Sequence, residues 1–295
     1  MILLDGKSLF KKIKKELKQE VKELIDNNKL LPHLVALLVG DNAASQTYVN
    51  AKVKACDEIG FKSTVLYFDK TIKENELINE IHKLNNLNDV HGVIVQLPLP
   101  VHINESKITH TIDYKKDVDG FHPINIGRMV LGLPSFLPAT PFGIISLLDE
   151  YNIETTGKNC LVIGRSHIVG TPMSILLSRN IKRGNATVTL AHSQTSNLEE
   201  LCKKSDIIVV AIGVPHFIQS HMLKKDVVLI DVGIHRIPSD KTKSGFRLIG
   251  DVDFDNVKEE TSFITPVPGG VGPMTIASLL RNTLYSAKKL IYSHS

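Results

Sequence analysis

Cysteine is scarce, and what there is lacks spacing: Cys56, Cys160 and Cys202 form no C-x-x-C pair and no zinc-type set. That excludes a disulfide framework and fits a reducing compartment. Long apolar runs are missing too; no stretch approaches the ~20 residues of a membrane helix. Met1-Ile2-Leu3-Leu4 is too short for the apolar core of a signal peptide, and Asp5 follows at once. A cytoplasmic protein without membrane contact is therefore expected. The twelve histidines are scattered without ligand spacing, so no metal is expected. There is no internal repeat and no low-complexity tail. Neither sign of charge dominates: the formal net charge is +4. Lys11, Lys12, Lys14, Lys15 and Lys18 alternate with Glu16, Glu20 and Glu23, which reads as a solvated helix face rather than a nucleic-acid stripe. The small positive excess suits anionic small ligands.

What is present is globular: 42% hydrophobic and 22% charged residues over 295 positions, enough for one large domain or two ordinary ones. Leu9, Ile13, Leu17, Val21 and Leu24 recur at helical steps, with Ser8 as a plausible cap. An apolar strand over 33–39 ends at Gly40. A helix over 45–59 is closed by Gly60. Strands over 64–68 and 92–97 flank a helix over 74–87. Residues 117–141, rich in Gly, Pro and Asp, read as the boundary before a helix over 140–151. A second alternating block follows, with strands over 160–163, 186–190, 206–212 and 227–232 and helices over 169–178 and 198–203. A last helix covers 275–291. Strands alternating with helices predict an α/β fold with parallel sheets covered on both faces.

The second block opens C-L-V-I-G-R-S-H-I-V-G, residues 160–170. A strand runs into Gly164, a turn follows, and Gly170 sits at a helix start. Glycines there let a pyrophosphate approach the free N–H groups of the helix. The spacing is not G-x-G-x-x-G, and an ordinary strand–helix turn is the alternative. The next strand ends in His192-Ser193-Gln194-Thr195, with no acid to take ribose hydroxyls. Arg165 and Ser193 instead suit a 2′-phosphate, unless Arg165 is merely exposed and Ser193 merely caps the next helix. In the first block Tyr48 and Lys52 stand four apart on one helix face. Y-x-x-x-K marks short-chain dehydrogenases, but there the pair follows the glycine turn, and here it precedes it. Gln96 ends an apolar strand, at the edge that faces ligands in parallel sheets. Asp117 and Asp119 lie in K-D-V-D-G-F, a sequence that could be only a turn. Residues 265–275, T-P-V-P-G-G-V-G-P-M-T, form a rigid loop that either presents backbone donors or simply links.

The order of these motifs resembles the bifunctional methylenetetrahydrofolate dehydrogenase/methenyltetrahydrofolate cyclohydrolase family: Y-V-x-x-K, V-Q-L-P-L-P, K-D-V-D-G-F, G-R-S-x-x-V-G-x-P, T-V-T-x-x-H-S-x-T, G-D-V and P-V-P-G-G-V-G-P-M-T, over residues 1–290. The resemblance implies two α/β domains with a folate cleft between them. Residues 1–139, completed by a returning C-terminal helix over 271–295, would be the folate-binding and catalytic domain. Residues 140–270 would be a Rossmann-type NADP-binding domain. It implies Lys52 as catalytic lysine, Tyr48 packing near the folate rings, Gln96 bonded to Lys52, Asp119 holding the pterin, and Leu97, Pro268, Gly269 and Gly270 on the folate side. Gly164, Arg165 and Ser166 would line NADP, with Ser193 near the adenosine phosphate and Ile234 near the nicotinamide. Members are usually homodimers. The implied activity is oxidation of methylenetetrahydrofolate and hydrolysis of the methenyl product. A monofunctional enzyme or a non-catalytic folate- or nucleotide-binding protein is the alternative. A free lysine, with pKa ~10.4, is a poor base at neutral pH; burial beside a neutral amide donor, rather than a carboxylate, is what would make it a better one. His167 is given no role. Ala43 stands where proline is common.

Overall fold

In the computed structural model, residues 1–27, 29–240, 242 and 245–292 are described. In chain order the elements are β1 (Ile2–Leu3), α1 (Gly6–Asp26), β2 (His33–Val39), α2 (Ala43–Ile59), β3 (Lys62–Phe68), α3 (Glu74–Asn85), β4 (Gly92–Val95), α4 (Glu105–Thr111) and α5 (Pro123–Val130). They continue with α6 (Ala139–Glu150), β5 (Asn159–Ile163), α7 (Gly170–Ser178), β6 (Thr187–Ala191), α8 (Leu198–Lys204) and β7 (Ile207–Val210). The last are β8 (Val227–Asp231), β9 (His235–Pro238), β10 (Phe246–Ile249), α9 (Phe254–Val257), β11 (Thr261–Ile264) and α10 (Val271–Ala287).

The chain divides into two compact units, Lys11–Ala139 with Ile276–Ser295, and Met1–Phe10 with Thr140–Thr275. In the first, β3-β2-β4 form a parallel sheet. Every residue of β2 and β4 is buried, as befits strands with helices on both faces. Val35, Leu37, Val93 and Val95 pack with Leu77, Ile81 and Ile108 into one core. In the second unit all neighbours in the order β1-β11-β8-β7-β5-β6 are parallel. Leu161, Ile163, Ile208, Val210 and Leu229 carry its core. Both sheets reverse strand order at one place, between β2 and β4 and between β5 and β7. Ligands bind outside the carboxyl ends of strands at such points.

Five expectations differ from the structure. Residues 1–10 go with the six-stranded sheet, because β1 pairs with β11 and Leu4 N–H donates to Ile264 O. The helix over 271–295 is likewise shared: its first turn, through Thr275, counts with that sheet. The cap of α1 is Asp5, whose carboxylate accepts from Ser8 N and Oγ at 3.1 and 2.6 Å; the helix begins at Gly6, so Ser8 lies inside its first turn and supplies the free N–H instead of capping one. The stretch 117–141 hides α5, started by Pro123 at its first turn and capped through His122 Nδ1. The antiparallel pair β9–β10 has no counterpart among the expected strands.

Candidate active site

Within the first unit, α2 buries one face, Ser45, Val49, Lys52, Cys56 and Ile59, at three- and four-residue steps. Asn42 Oδ1 caps it by accepting from Ala44 N and Ser45 N, and Gly60 ends it in the left-handed region at φ 86°. An ionisable side chain on that apolar face needs a partner. Lys52, 8% exposed, has one: its Nζ donates to Gln96 Oε1 at 3.1 Å. Gln96 is fixed in turn, its N–H donating to Leu37 O and its Nε2 to Leu97 O at 2.8 Å. The amide therefore turns its oxygen to the lysine, as an acceptor and not the expected donor, because its nitrogen is already spent on Leu97. A cis Leu97–Pro98 peptide follows.

Asp119 reaches the same neighbourhood. Burial raises its carboxyl above the usual range, and the charge of Lys52 opposes that rise. No hydrogen bond to this carboxylate exists among the described residues. Asp117 is the opposite case. It accepts from Phe121 N, His122 N and Asn125 Nδ2 at 3.2, 2.8 and 2.8 Å, and burial lifts it to about 6. Asp117 holds the loop and Asp119 is left open. Tyr48 stands 38% exposed one turn before Lys52, its phenol raised by burial. Cys56, one turn after Lys52, is pushed up to about 12 by burial, so its thiol stays protonated and inert.

In the second unit the turn after β5 lies where the strand order reverses. Gly164 has φ 113°, and a Cβ there would stand 2.2 Å from Ala211 O. A Cβ on Gly170 would stand 1.8 Å from Gly164 O. Ser166 Oγ accepts from Val169 N and Gly170 N at 3.2 and 3.4 Å, bracing the start of α7. Arg165 is exposed on this turn. Ile163 pairs with Ala191, so the ends of β5 and β6 lie side by side, and Ser193 follows, also exposed. Thr195 Oγ1 accepts from His192 N, and α8 begins from Asn197, so among the described residues Ser193 makes no capping bond. A cradle that only glycine allows, a helix N-terminus, a guanidinium and a free hydroxyl suit a phosphorylated dinucleotide.

Ile234, 39% exposed, follows β8. It is backed by carboxylates that sequence reasoning missed. Asp251 Oδ2 accepts from Ile212 N and Gly213 N, and its Oδ1 meets His235 Nε2 at 2.7 Å. Asp231 accepts from Gly233 N, Asp251 N and Val252 N, and burial lifts it to about 6. The G-D-V motif was the available signal: a Cβ on Gly250 would fall 1.7 Å from Asp231 Oδ2. Gly269 and Gly270 are spent on packing. Gly269 O accepts from Lys7 N, and a Cβ on Gly6 would lie 1.8 Å from Gly270 O. Pro268, after a cis bond, is the exposed member of that loop. The structure thus groups Lys52, Gln96, Leu97, Asp119 and Tyr48 in one unit. It groups Gly164, Arg165, Ser166, Ser193, Ile234 and residues 268–270 in the other. Among the described residues no cluster could hold a metal ion, and no helix is long and apolar enough to cross a membrane.

Two family models match the chain: the tetrahydrofolate dehydrogenase/cyclohydrolase catalytic domain over residues 4–119 and the NAD(P)-binding domain of the same family over 138–291. A bifunctional FolD protein of Cytophaga hutchinsonii is 58% identical over 97% of this chain and 99% of its own. The structure of a bifunctional FolD from Campylobacter jejuni superposes with a TM-score of 0.92 at 48% identity, covering 98% of this chain and 99% of that one. One from Trypanosoma brucei, complexed with NADP cofactor and inhibitor, gives 0.93 at 34% identity, covering 99% of each.

Proposed function

The chain belongs to the tetrahydrofolate dehydrogenase/cyclohydrolase family, and on that premise we propose that it oxidises 5,10-methylenetetrahydrofolate with NADP and hydrolyses the methenyl product to 10-formyltetrahydrofolate. The observation that carries this reading is the buried Lys52 Nζ donating to Gln96 Oε1 at 3.1 Å, with the unpaired Asp119 carboxylate within its electrostatic reach. A binding protein has no use for a buried amine held beside an open carboxylate. NADP, when bound, supplies the hydride acceptor. The chain's own task in that step is orientation, because the folate nitrogens stabilise the developing cation.

Asp119 accepts the ring N–H donors of the pterin and fixes its angle. Tyr48 offers an exposed aromatic face to the folate rings, and Leu97 lines the same side. In hydrolysis a water adds to the methenyl carbon and one C–N bond breaks. Protons must leave the water and reach the departing nitrogen. Lys52 Nζ moves them, and Gln96 aims it. Gly164, Ser166 and the first turn of α7 hold the pyrophosphate. Arg165 and Ser193 take the 2′-phosphate, and Ile234 stands at the nicotinamide. Pro268, with Gly269 and Gly270 behind it, belongs to the folate side.

The protein is also proposed to be a cytoplasmic homodimer. Three buried free cysteines fit a reducing compartment. Exposed Phe246 and Leu248 on β10 give the nucleotide-binding unit an apolar edge for self-association. Sedimentation separates one copy from two.

The test of function follows NADPH and methenyl absorbance together after mixing protein, methylenetetrahydrofolate and NADP. NADPH with a transient methenyl signal is expected. Lasting methenyl would leave only a dehydrogenase; neither signal would leave a cyclohydrolase alone or a binder, which hydrolysis of supplied methenyltetrahydrofolate then separates.

A further inference from the structure

Asp119 is open at its carboxylate yet fixed at its backbone, and the fixing comes from the C-terminal helix. Asn282 of α10 is 2% exposed. Its Nδ2 donates twice, to Val118 O at 2.8 Å and to Leu137 O at 3.1 Å. Val118 immediately precedes Asp119. Leu137 lies against the residue that follows it: a Cβ on Gly120 would meet the Leu137 carbonyl carbon at 2.6 Å. Ala139 N–H completes the clamp by donating to Asp119 O at 3.1 Å. One turn beyond Asn282, on the same face, Ser286 Oγ donates to Lys115 O at 3.1 Å. Past the helix end, Tyr292 donates to Asn125 Oδ1 at 2.5 Å, and Asn125 Nδ2 holds Asp117. All these residues belong to one compact unit.

We propose that Asn282 is a positioning residue for the folate site, tying the peptide before Asp119 to the Leu137 segment packed against Gly120 so that only the carboxylate remains free to turn toward substrate, with Ser286 and Tyr292 as outer braces. The inference rests on Asp119 being the pterin acceptor. An amide suits the task because both of its N–H groups meet carbonyls buried beside it, leaving neither acceptor unsatisfied. Asn282 does not itself touch substrate.

A double-mutant cycle tests this. Asn282→Ala should lower kcat/KM for methylenetetrahydrofolate about ten- to a hundredfold, the scale of a displaced contact group. The KM for NADP should stay within about twofold. In an Asp119→Asn background the same change should cost less than about twofold, because there is no carboxylate left to place. Asn282→Gln, which keeps both donors on a longer arm, should recover part of the loss. Equal losses in both backgrounds, or a parallel rise in the KM for NADP, would overturn the inference and leave Asn282 a purely structural residue. If Asn282→Ala does not fold, the cycle is run with Tyr292→Phe, which removes one hydroxyl; a loss of about threefold that vanishes in Asp119→Asn is expected, and an additive loss counts against the inference. If Asp119→Asn alone leaves folate kinetics unchanged, the reading of the site fails instead.

Discussion

Replacing Lys52 by Met separates chemistry from architecture. Methionine has nearly the length of lysine, so the buried face of α2 between Val49 and Cys56 stays filled. What is lost is the donor at 3.1 Å from Gln96 Oε1. A hydrogen bond from a charged group is worth about 1.5–3 kcal/mol, and release from burying a polar head offsets part of it. The net change should be within about 2 kcal/mol, a melting shift of no more than about 8 °C for a protein of this size. Proton transfer by a positioned side chain contributes about 10²–10⁴-fold, so methenyl hydrolysis should fall by that factor and methenyl absorbance should persist. Dehydrogenation should fall less, and the KM for NADP should change by less than about twofold. Asp119 adds an independent sign. Burial raises its carboxyl and Lys52 pulls it back. Without the lysine the carboxyl rises further, less carboxylate survives at a given pH, and the acid limb of kcat/KM for folate moves to higher pH. Undiminished hydrolysis, or an acid limb that moves down, would refute the assignment.

A Cβ on Gly170 would stand 1.8 Å from Gly164 O where ordinary contact begins at 3.4 Å, so Gly170→Ala must spread the turn. The KM for NADP should rise at least about tenfold, while hydrolysis of supplied methenyltetrahydrofolate is retained; unchanged NADP kinetics would count against the cradle. Arg165→Ala should lower the ratio of specificity constants for NADP over NAD by about tenfold or more, and an unchanged ratio rules out phosphate recognition by Arg165. His91 is held down to about 4 by burial first, then by His33 and Lys116. A depressed histidine stabilises fully above its unfolded value of 6.5 and loses that stability as pH falls toward 4. Asp117 and Asp231, raised to about 6, act with the opposite sign in this window, so the His91 share is read as the difference between wild type and His91→Asn, whose Oδ1 can accept from His33 N as Nδ1 does now. Between pH 7 and pH 4.5, wild type should lose about 1–2 kcal/mol more in urea unfolding than this variant, once solvent screening of a part-exposed ring is allowed for.

Strands such as β2, β4 and β7 were legible because burial on both faces leaves an unbroken apolar run, and α2 because its apolar period is helical. The Lys52–Gln96 bond joins residues 44 apart, and no spacing rule announces it; the order of motifs did. The bracing acids stayed hidden for a different reason. Asp117, Asp231 and Asp251 bond mainly to backbone N–H groups, which every residue but proline carries, so nothing in the partners' identity marks them. Of the three, only Asp251 directly adjoins a glycine, Gly250; Asp117 and Asp231 stand three and two residues before Gly120 and Gly233, so all three stretches read as turns, which they also are. Gly120 and Gly250 admit close passage of Leu137 and Asp231 where a side chain would collide. A carboxylate that must gather N–H groups from a turn needs the backbone to come that close. Turn and brace are therefore one structure, and an acid within three residues of a glycine near a strand's carboxyl end is a candidate support of the site even when a neighbouring acid, here Asp119, is the one proposed to meet the substrate.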